Sequence, residues 1–238
     1  AEHGLVREST PYFETAVATD RPALEALNNY AGVLLERGEW EAAERLLIRT
    51  LTLYPKQSDA MANLATLRLK QSQHGAARDL FRQVLAAQPD DAYAQHGLGS
   101  ALFALKDLGG ARAAFEQALR FAPDNAGYRY SFASALAASG EFAAALREFE
   151  AVREAQPDSA ELAGNLGILY VETGDLTKGE AEFRRALRLA PKDVNAHLNL
   201  AMLYARMGNK AEAQRLLQQA LILHPGHPQA TAILESLR

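Results

Sequence analysis

Large apolar and small residues recur along the chain with a period of 34 residues, in units that begin at Leu24, Ser58, Ala92, Ala126, Ala160 and Val194. The seventh and twenty-fourth positions of each unit are large and mostly Leu or Phe, whereas the eighth and twentieth are always Ala or Gly. Small residues let two helices approach closely, and large ones fill the space between them. The pattern therefore predicts a pair of packed helices in every unit.

Turn-forming residues separate the two helices and end each unit. Gly38, Gly140, Gly174 and Gly208 follow the first helix, with Ser72 and Lys106 in the same column. Glycine at this place is typical of a helix that ends in a left-handed residue. A proline ends each second helix, because the residue before proline is disfavoured in the helical region. These prolines are Pro55, Pro89, Pro123, Pro157, Pro191 and Pro225.

The pattern of residues at equivalent positions of the six units resembles the tetratricopeptide repeat (TPR). That repeat has small residues at positions eight and twenty, bulky ones at seven and twenty-four, and proline at thirty-two. The resemblance covers residues 24–227 and implies an all-α, right-handed superhelix (solenoid) of six helical hairpins. The expected repeats are 24–57, 58–91, 92–125, 126–159, 160–193 and 194–227. Residues 1–23 would hold a partial repeat with a helix at about 10–19, and residues 228–238 a capping helix.

Composition narrows the class of protein. With 48% hydrophobic and 23% charged residues, the chain can bury a core and is not disordered. A net charge of −4 argues against nucleic-acid binding, and no apolar run reaches the ~20 residues of a membrane span. The absence of cysteine excludes disulfides and thiolate metal sites. Richness in Ala, Leu and Arg favours a bacterial source but leaves the compartment, cytoplasm or periplasm, open.

The resemblance implies that the first helix of each repeat lines a concave groove. Residues 92–105 carry no charge and residues 126–139 carry only Arg129, so this part of the groove predicts a site for a neutral or apolar peptide. The candidate contact residues here are Tyr93, His96, Ser100, Phe103, Tyr130 and Ser134. The alternative is that these aromatic side chains pack between neighbouring repeats.

Asparagine recurs at the sixth position, as Asn29, Asn63, Asn165 and Asn199, with Gly97 and Ser131 interrupting the series. An amide side chain offers both a donor and an acceptor, so such a ladder can bind the backbone of an extended peptide. It resembles the asparagine ladder of O-linked N-acetylglucosamine transferases. The alternative is that asparagine is simply common at this position of the repeat. The lysine and asparagine of a chaperone-type carboxylate clamp are missing from positions five and nine.

Three patterns that suggest chemistry have simpler interpretations. The run 97–100, Gly-Leu-Gly-Ser, falls inside a predicted helix and indicates a packing notch rather than a phosphate loop. His224 and His227 flank a turn without a third metal ligand nearby in sequence. Carboxylates crowd the outer helices, away from any predicted cleft. We therefore expect no enzymatic activity, no cofactor and no metal.

The sequence favours a scaffold or adaptor that binds a peptide segment of a partner protein. Two alternatives remain open at this point. The array could be the regulatory or substrate-recruiting domain of a larger enzyme, as the start without methionine suggests. It could instead self-assemble, with residues 1–19 docking into the groove of a neighbouring copy.

Overall fold

The computed structural model describes residues 12–19 and 22–237, which contain only helices, turns and bends. Residues 12–17 belong to a first helix, α1, and residues 10 and 11 of the helix predicted there lie outside the described part. The helices that follow are α2 (Leu24–Glu36), α3 (Trp40–Leu53), α4 (Ser58–Lys70), α5 (His74–Ala87), α6 (Ala92–Ala104), α7 (Leu108–Phe121), α8 (Ala126–Ala138), α9 (Phe142–Ala155), α10 (Ala160–Glu172), α11 (Leu176–Leu189), α12 (Val194–Arg206), α13 (Lys210–Leu223) and α14 (Pro228–Ser236).

Consecutive helices form hairpins, and neighbouring hairpins contact each other where α3 meets α4, α5 meets α6, α9 meets α10 and α11 meets α12. Among the described helices, the pairs α6–α7, α10–α11, α4–α5 and α12–α13 make the most extensive contacts, and the pair α2–α3 packs less extensively. The first helices of neighbouring hairpins also touch, α2 with α4, α4 with α6, and α10 with α12. The chain divides into two compact units, the first ending at Tyr128 and the second beginning at Arg129, within α8.

Small residues at position eight of a repeat contact aromatic rings at position twenty-four, where the sequence predicts close helix packing. A Cβ placed on Gly99 would lie 2.6 Å from the ring of Phe115, and one on Gly167 would lie 2.5 Å from the ring of Phe183. Such distances are far below van der Waals contact, so these two helix pairs need glycine. Phe183 belongs to a continuous cluster of buried apolar residues in the second unit, and Phe81 belongs to another in the first.

The turns adopt the left-handed backbone that their glycines predict. Gly38, Gly140, Gly174 and Gly208 have φ between 72° and 92°. Ser72 and Lys106 adopt the same conformation, with φ of 59° and 65°, although a side chain there is strained. The chain keeps the turn geometry even where glycine is missing, because the helices on either side determine it.

Both ends of the described chain pack on the repeats. Phe13 stacks on Tyr30 with ring centroids 5.8 Å apart, and the guanidinium of Arg49 donates to the carbonyls of Val17 and Thr19 at 2.6 Å. At the other end, partly buried apolar residues of α14 cover the last cluster; they are Ile233, Leu234 and, just beyond the helix, Leu237. None of the described helices combines the length and apolar character that crossing a membrane requires.

Candidate functional site

Three adjoining clefts run along the first helices of the second unit. The smallest, about 230 Å³, lies between α8 and α10 and is lined by Ser134, Ala137, Phe149, Asn165, Ile168 and Leu169. Two larger clefts lie between α10 and α12, with volumes of about 580 and 460 Å³. Ile168 borders all three, and Asn199 borders the two larger ones. The clefts therefore adjoin one another along these helices.

The 580 Å³ cleft combines polar side chains with small apolar ones, chiefly alanine. Its charged residues are two carboxylates, Glu161 at the start of α10 and Asp193 before α12, and no Lys or Arg lines it. Three asparagine amides, Asn165, Asn195 and Asn199, complete its polar lining. The electrostatic potential inside it is therefore negative.

The 460 Å³ cleft is mainly apolar. Its apolar lining consists of Ile168, Val171, Phe183, Met202 and Leu203, with Glu172 and Arg206 beside it. Ile168 and Met202 keep 41% and 44% of their surface exposed, and both border the same cleft. The two side chains offer a ready apolar contact to a ligand.

Tyr130 organises the polar residues between α8 and α10. Its hydroxyl donates to Glu161 Oε1 at 2.5 Å and accepts from Asn165 Nδ2 at 2.6 Å. Burial, together with the hydrogen bond to Glu161, raises the pKa of Tyr130 well above its usual range. Since the amide nitrogen of Asn165 is held by Tyr130, its Oδ1 is the atom left to accept a hydrogen bond in the clefts. Tyr130 is thus a positioning residue for Asn165.

Tyr93 and Phe103, predicted as peptide contacts, lie in the first unit on α6. Tyr93 is 44% exposed, but its hydroxyl is within 2.6 Å of Thr66 Oγ1 on α4 and its ring meets the edge of Phe81. Phe103 is half-buried. The sequence left open whether Tyr93 contacts a peptide or packs between repeats. One side of Tyr93 packs between repeats, and the rest of the side chain faces solvent.

His96 is enclosed by aromatic rings. Its imidazole stacks on Tyr128 with centroids 4.6 Å apart and tilts against Phe115 at 5.4 Å. Burial lowers the pKa of His96 below its ordinary value. The hydroxyls of Ser100 and Ser134 both donate to carbonyls one turn earlier in their own helices, at 3.0 and 2.9 Å. Ser134 also lines the smallest cleft, whereas His96 contributes chiefly to packing.

The asparagine column is divided between the units. Asn29 is exposed and Asn63 half-buried in the first unit, while Asn165 and Asn199 line the clefts of the second. Gly97 interrupts the column because the ring of Phe81 from the preceding hairpin occupies the space of a side chain. The run 97–100 lies within α6, as a packing notch requires.

The two histidines near the C-terminal turn have structural contacts. Their rings meet edge to face at 5.4 Å, and His227 Nδ1 accepts from the backbone N–H of Ala230 as a helix cap. Across residues 12–19 and 22–237, no three His, Asp or Glu side chains come together as metal ligands would.

Sequence reasoning missed the two apolar residues that border the clefts. Ile168 and Met202 occupy the ninth position of their units, where the other four units have Gly32, Thr66, Ser100 and Ser134. A large apolar residue in a column of small and polar ones was the available signal. It indicates an apolar contact on the same helix face as the asparagines.

Family comparison agrees with this geometry. Models described as tetratricopeptide repeat match residues 22–90, residues 62–126 and 130–194, and residues 170–237. The chain belongs to the tetratricopeptide repeat family. The fold of the TPR family is a scaffold for protein–protein interaction. No curated protein sequence matches this TPR chain significantly.

Solved TPR structures resemble it at low sequence identity. YrrB, a TPR protein with an unusual peptide-binding site, is 20% identical at a TM-score of 0.67, over 79% of this chain and 97% of its own. PilF of Pseudomonas aeruginosa is 18% identical at 0.77, over 90% and 97%. The APC/C complex Cut9–Hcn1 is 15% identical at 0.81, over 99% of this chain and 46% of the other. Identities this low show the fold alone.

Proposed function

We propose that this TPR protein is an interaction scaffold that binds an extended peptide segment of a partner along α8, α10 and α12. The observation that carries the proposal is the row of three adjoining clefts bordered by Asn165, Ile168, Asn199 and Met202. We further propose that the six hairpins starting at residues 24, 58, 92, 126, 160 and 194 are the repeats, flanked by a partial repeat and a capping helix.

The two asparagines are suited to a peptide backbone. Asn165 presents Oδ1, because Tyr130 holds its nitrogen, and Asn199 has no hydrogen-bond partner within the described residues. An extended peptide exposes an N–H and a C=O at each residue. Asn165 on α10 can accept a hydrogen bond from such an N–H, and Asn199 on α12 can both donate to a C=O and accept from an N–H. Such contacts favour an extended backbone whatever its side chains.

Apolar contact would supply most of the affinity. Ile168 and Met202 are both partly exposed, so a ligand that covers them removes apolar surface from water. Methionine also adapts its shape to different partners. In the first unit, Tyr93, Phe103, Asn29 and Asn63 support a further contact surface of the same kind.

The neighbour YrrB supports this reading, because it is described as having a peptide-binding site. Panning a phage library of random dodecapeptides against the chain tests the proposal. Enriched peptides are then titrated calorimetrically against the wild type, Met202→Glu and Ile222→Glu. Ile222 is a matched control, since it is 75% exposed on α13 and lines none of the three clefts.

We expect Met202→Glu to weaken binding at least about ten-fold, since it places a charge against a desolvated apolar contact. Ile222→Glu should leave the affinity unchanged. A library that yields no binders, or binders equally sensitive to both substitutions, would contradict binding in these clefts.

A further inference from the structure

We infer that the bound segment carries a Lys or Arg side chain close in sequence to a large apolar one, an inference that rests on the proposed function. It departs from the neutral or apolar partner that the sequence of α6 and α8 predicts. The reason is the pairing of one anionic and one apolar cleft between the same two helices.

The anionic cleft is fixed in place by hydrogen bonds. Glu161 is held through Oε1 by the Tyr130 hydroxyl, and Asp193 through Oδ1 by the backbone N–H of Asn195. Each carboxylate has a second oxygen that these bonds leave free. A Lys or Arg side chain entering the cleft would meet two carboxylates and three amide groups, all able to accept its hydrogen bonds.

Cations of the second unit near these helices have other partners. Arg129 pairs with Glu148 at 2.8 Å and Arg153 with Glu182 at 3.0 Å. Arg184 reaches Tyr204 and Glu180, and Arg185 donates to the carbonyl of Pro157. Among the described residues, neither Glu161 nor Asp193 forms an ion pair with a Lys or Arg side chain.

The apolar cleft selects the second side chain. About 460 Å³ bordered by Ile168, Val171, Phe183, Met202 and Leu203 accommodates Leu, Met or Phe. Both clefts share Ile168 and Asn199, so neighbouring side chains of a single extended segment can occupy them together. A backbone hydrogen bond to Asn199 would lie between the two.

The same phage library tests the preference for a basic residue separately from peptide binding itself. It is panned against the wild type, the double variant Glu161→Gln/Asp193→Asn and the control Glu154→Gln/Glu235→Gln, which makes the same change in charge at exposed positions. Glutamine still accepts from Tyr130, and asparagine caps α12 as well as aspartate does. The substitutions therefore remove charge while preserving the fold.

The wild type and the control should enrich peptides with Lys or Arg within four residues of Leu, Ile, Met or Phe. The double variant should keep the apolar preference and lose the basic one. For one enriched peptide, replacing its Lys with Gln should weaken binding to the wild type about five-fold and leave binding to the double variant unchanged. Rising salt should reduce the wild-type affinity alone.

Two results would overturn the inference in different ways. If enriched peptides depend on Met202 but are neutral or acidic, the basic preference is wrong while peptide binding in the clefts stands. If no enriched peptide depends on Met202, or none is enriched, both the inference and the proposed function fail.

Discussion

Two glycines of α10, only three positions apart, should respond to alanine in opposite directions. A Cβ on Gly164 meets no atom within 4 Å, whereas one on Gly167 would lie 2.5 Å from the ring of Phe183. Gly164→Ala should stabilise the protein by about 0.5–1 kcal/mol, because alanine loses less backbone entropy in a helix. Gly167→Ala gains the same amount but overpacks the core, which costs about 1–3 kcal/mol, so the middle of the two ranges gives a net destabilisation of about 1 kcal/mol.

Urea unfolding followed by circular dichroism measures both variants against the wild type. We expect midpoints on opposite sides of the wild-type value with equal slopes, and a difference of about 2 kcal/mol between the variants. Both variants replace glycine with alanine in the same helix, so the contribution of helix propensity cancels when their stabilities are compared. Equal stability of the two variants would refute the argument that the Phe183 ring demands glycine at position 167.

A second substitution locates the origin of the effect. The repeats combine alanine at position eight either with leucine at position twenty-four, as in Ala31 with Leu47, or with phenylalanine, as in Ala133 with Phe149. Leucine in place of Phe183 removes the ring atoms that a Cβ at position 167 would meet. Phe183→Leu should therefore cost less in the Gly167→Ala background than in the wild type, with a coupling of about 1 kcal/mol. Strict additivity would mean that the destabilisation arises elsewhere.

Three further outcomes follow from individual contacts. Lys106→Gly should raise stability by about 1 kcal/mol in the same urea assay, since φ is 65° there; no gain would mean that the turn is unstrained. Burial lowers the pKa of His96, so stability that its neutral form contributes is present above the ordinary value of 6.5 and is lost as the pH falls below it. Thermal unfolding midpoints should therefore fall more steeply on acidification for the wild type than for His96→Phe, and parallel curves would contradict this. Tyr130→Phe should weaken peptide binding about three-fold by releasing Asn165, with little change in the unfolding midpoint, and calorimetric titration with an enriched peptide measures it.

The repeat columns predicted much of the fold. Positive φ at Gly38 and Gly140 and the contact of Gly167 with Phe183 are local consequences of helix periodicity and turn chemistry. Gly97 shows the limit of that reasoning. The column identifies it only as a missing asparagine, and the reason for glycine is a ring from the preceding repeat.

The candidate site was less predictable. Asn165 and Asn199 were selected from the sequence and line the clefts, but their neighbours Ile168 and Met202 were not selected. Tyr130 was predicted to contact peptide, and its hydroxyl is engaged by Glu161 and Asn165. The position of a residue within the repeat indicates the helix face on which it lies. It does not indicate whether its polar atoms already form hydrogen bonds to a neighbouring side chain.

The sequence by itself determined the helical hairpins, their turns and the family, because each depends on spacing within one unit of 34 residues. Only the tertiary structure decided where clefts open. A cleft is the space left when side chains from several helices, Phe149 and Phe183 among them, fill the gap between neighbouring repeats incompletely. The size of that space depends on the distances between helices that are far apart in sequence, and the repeat period does not specify these distances.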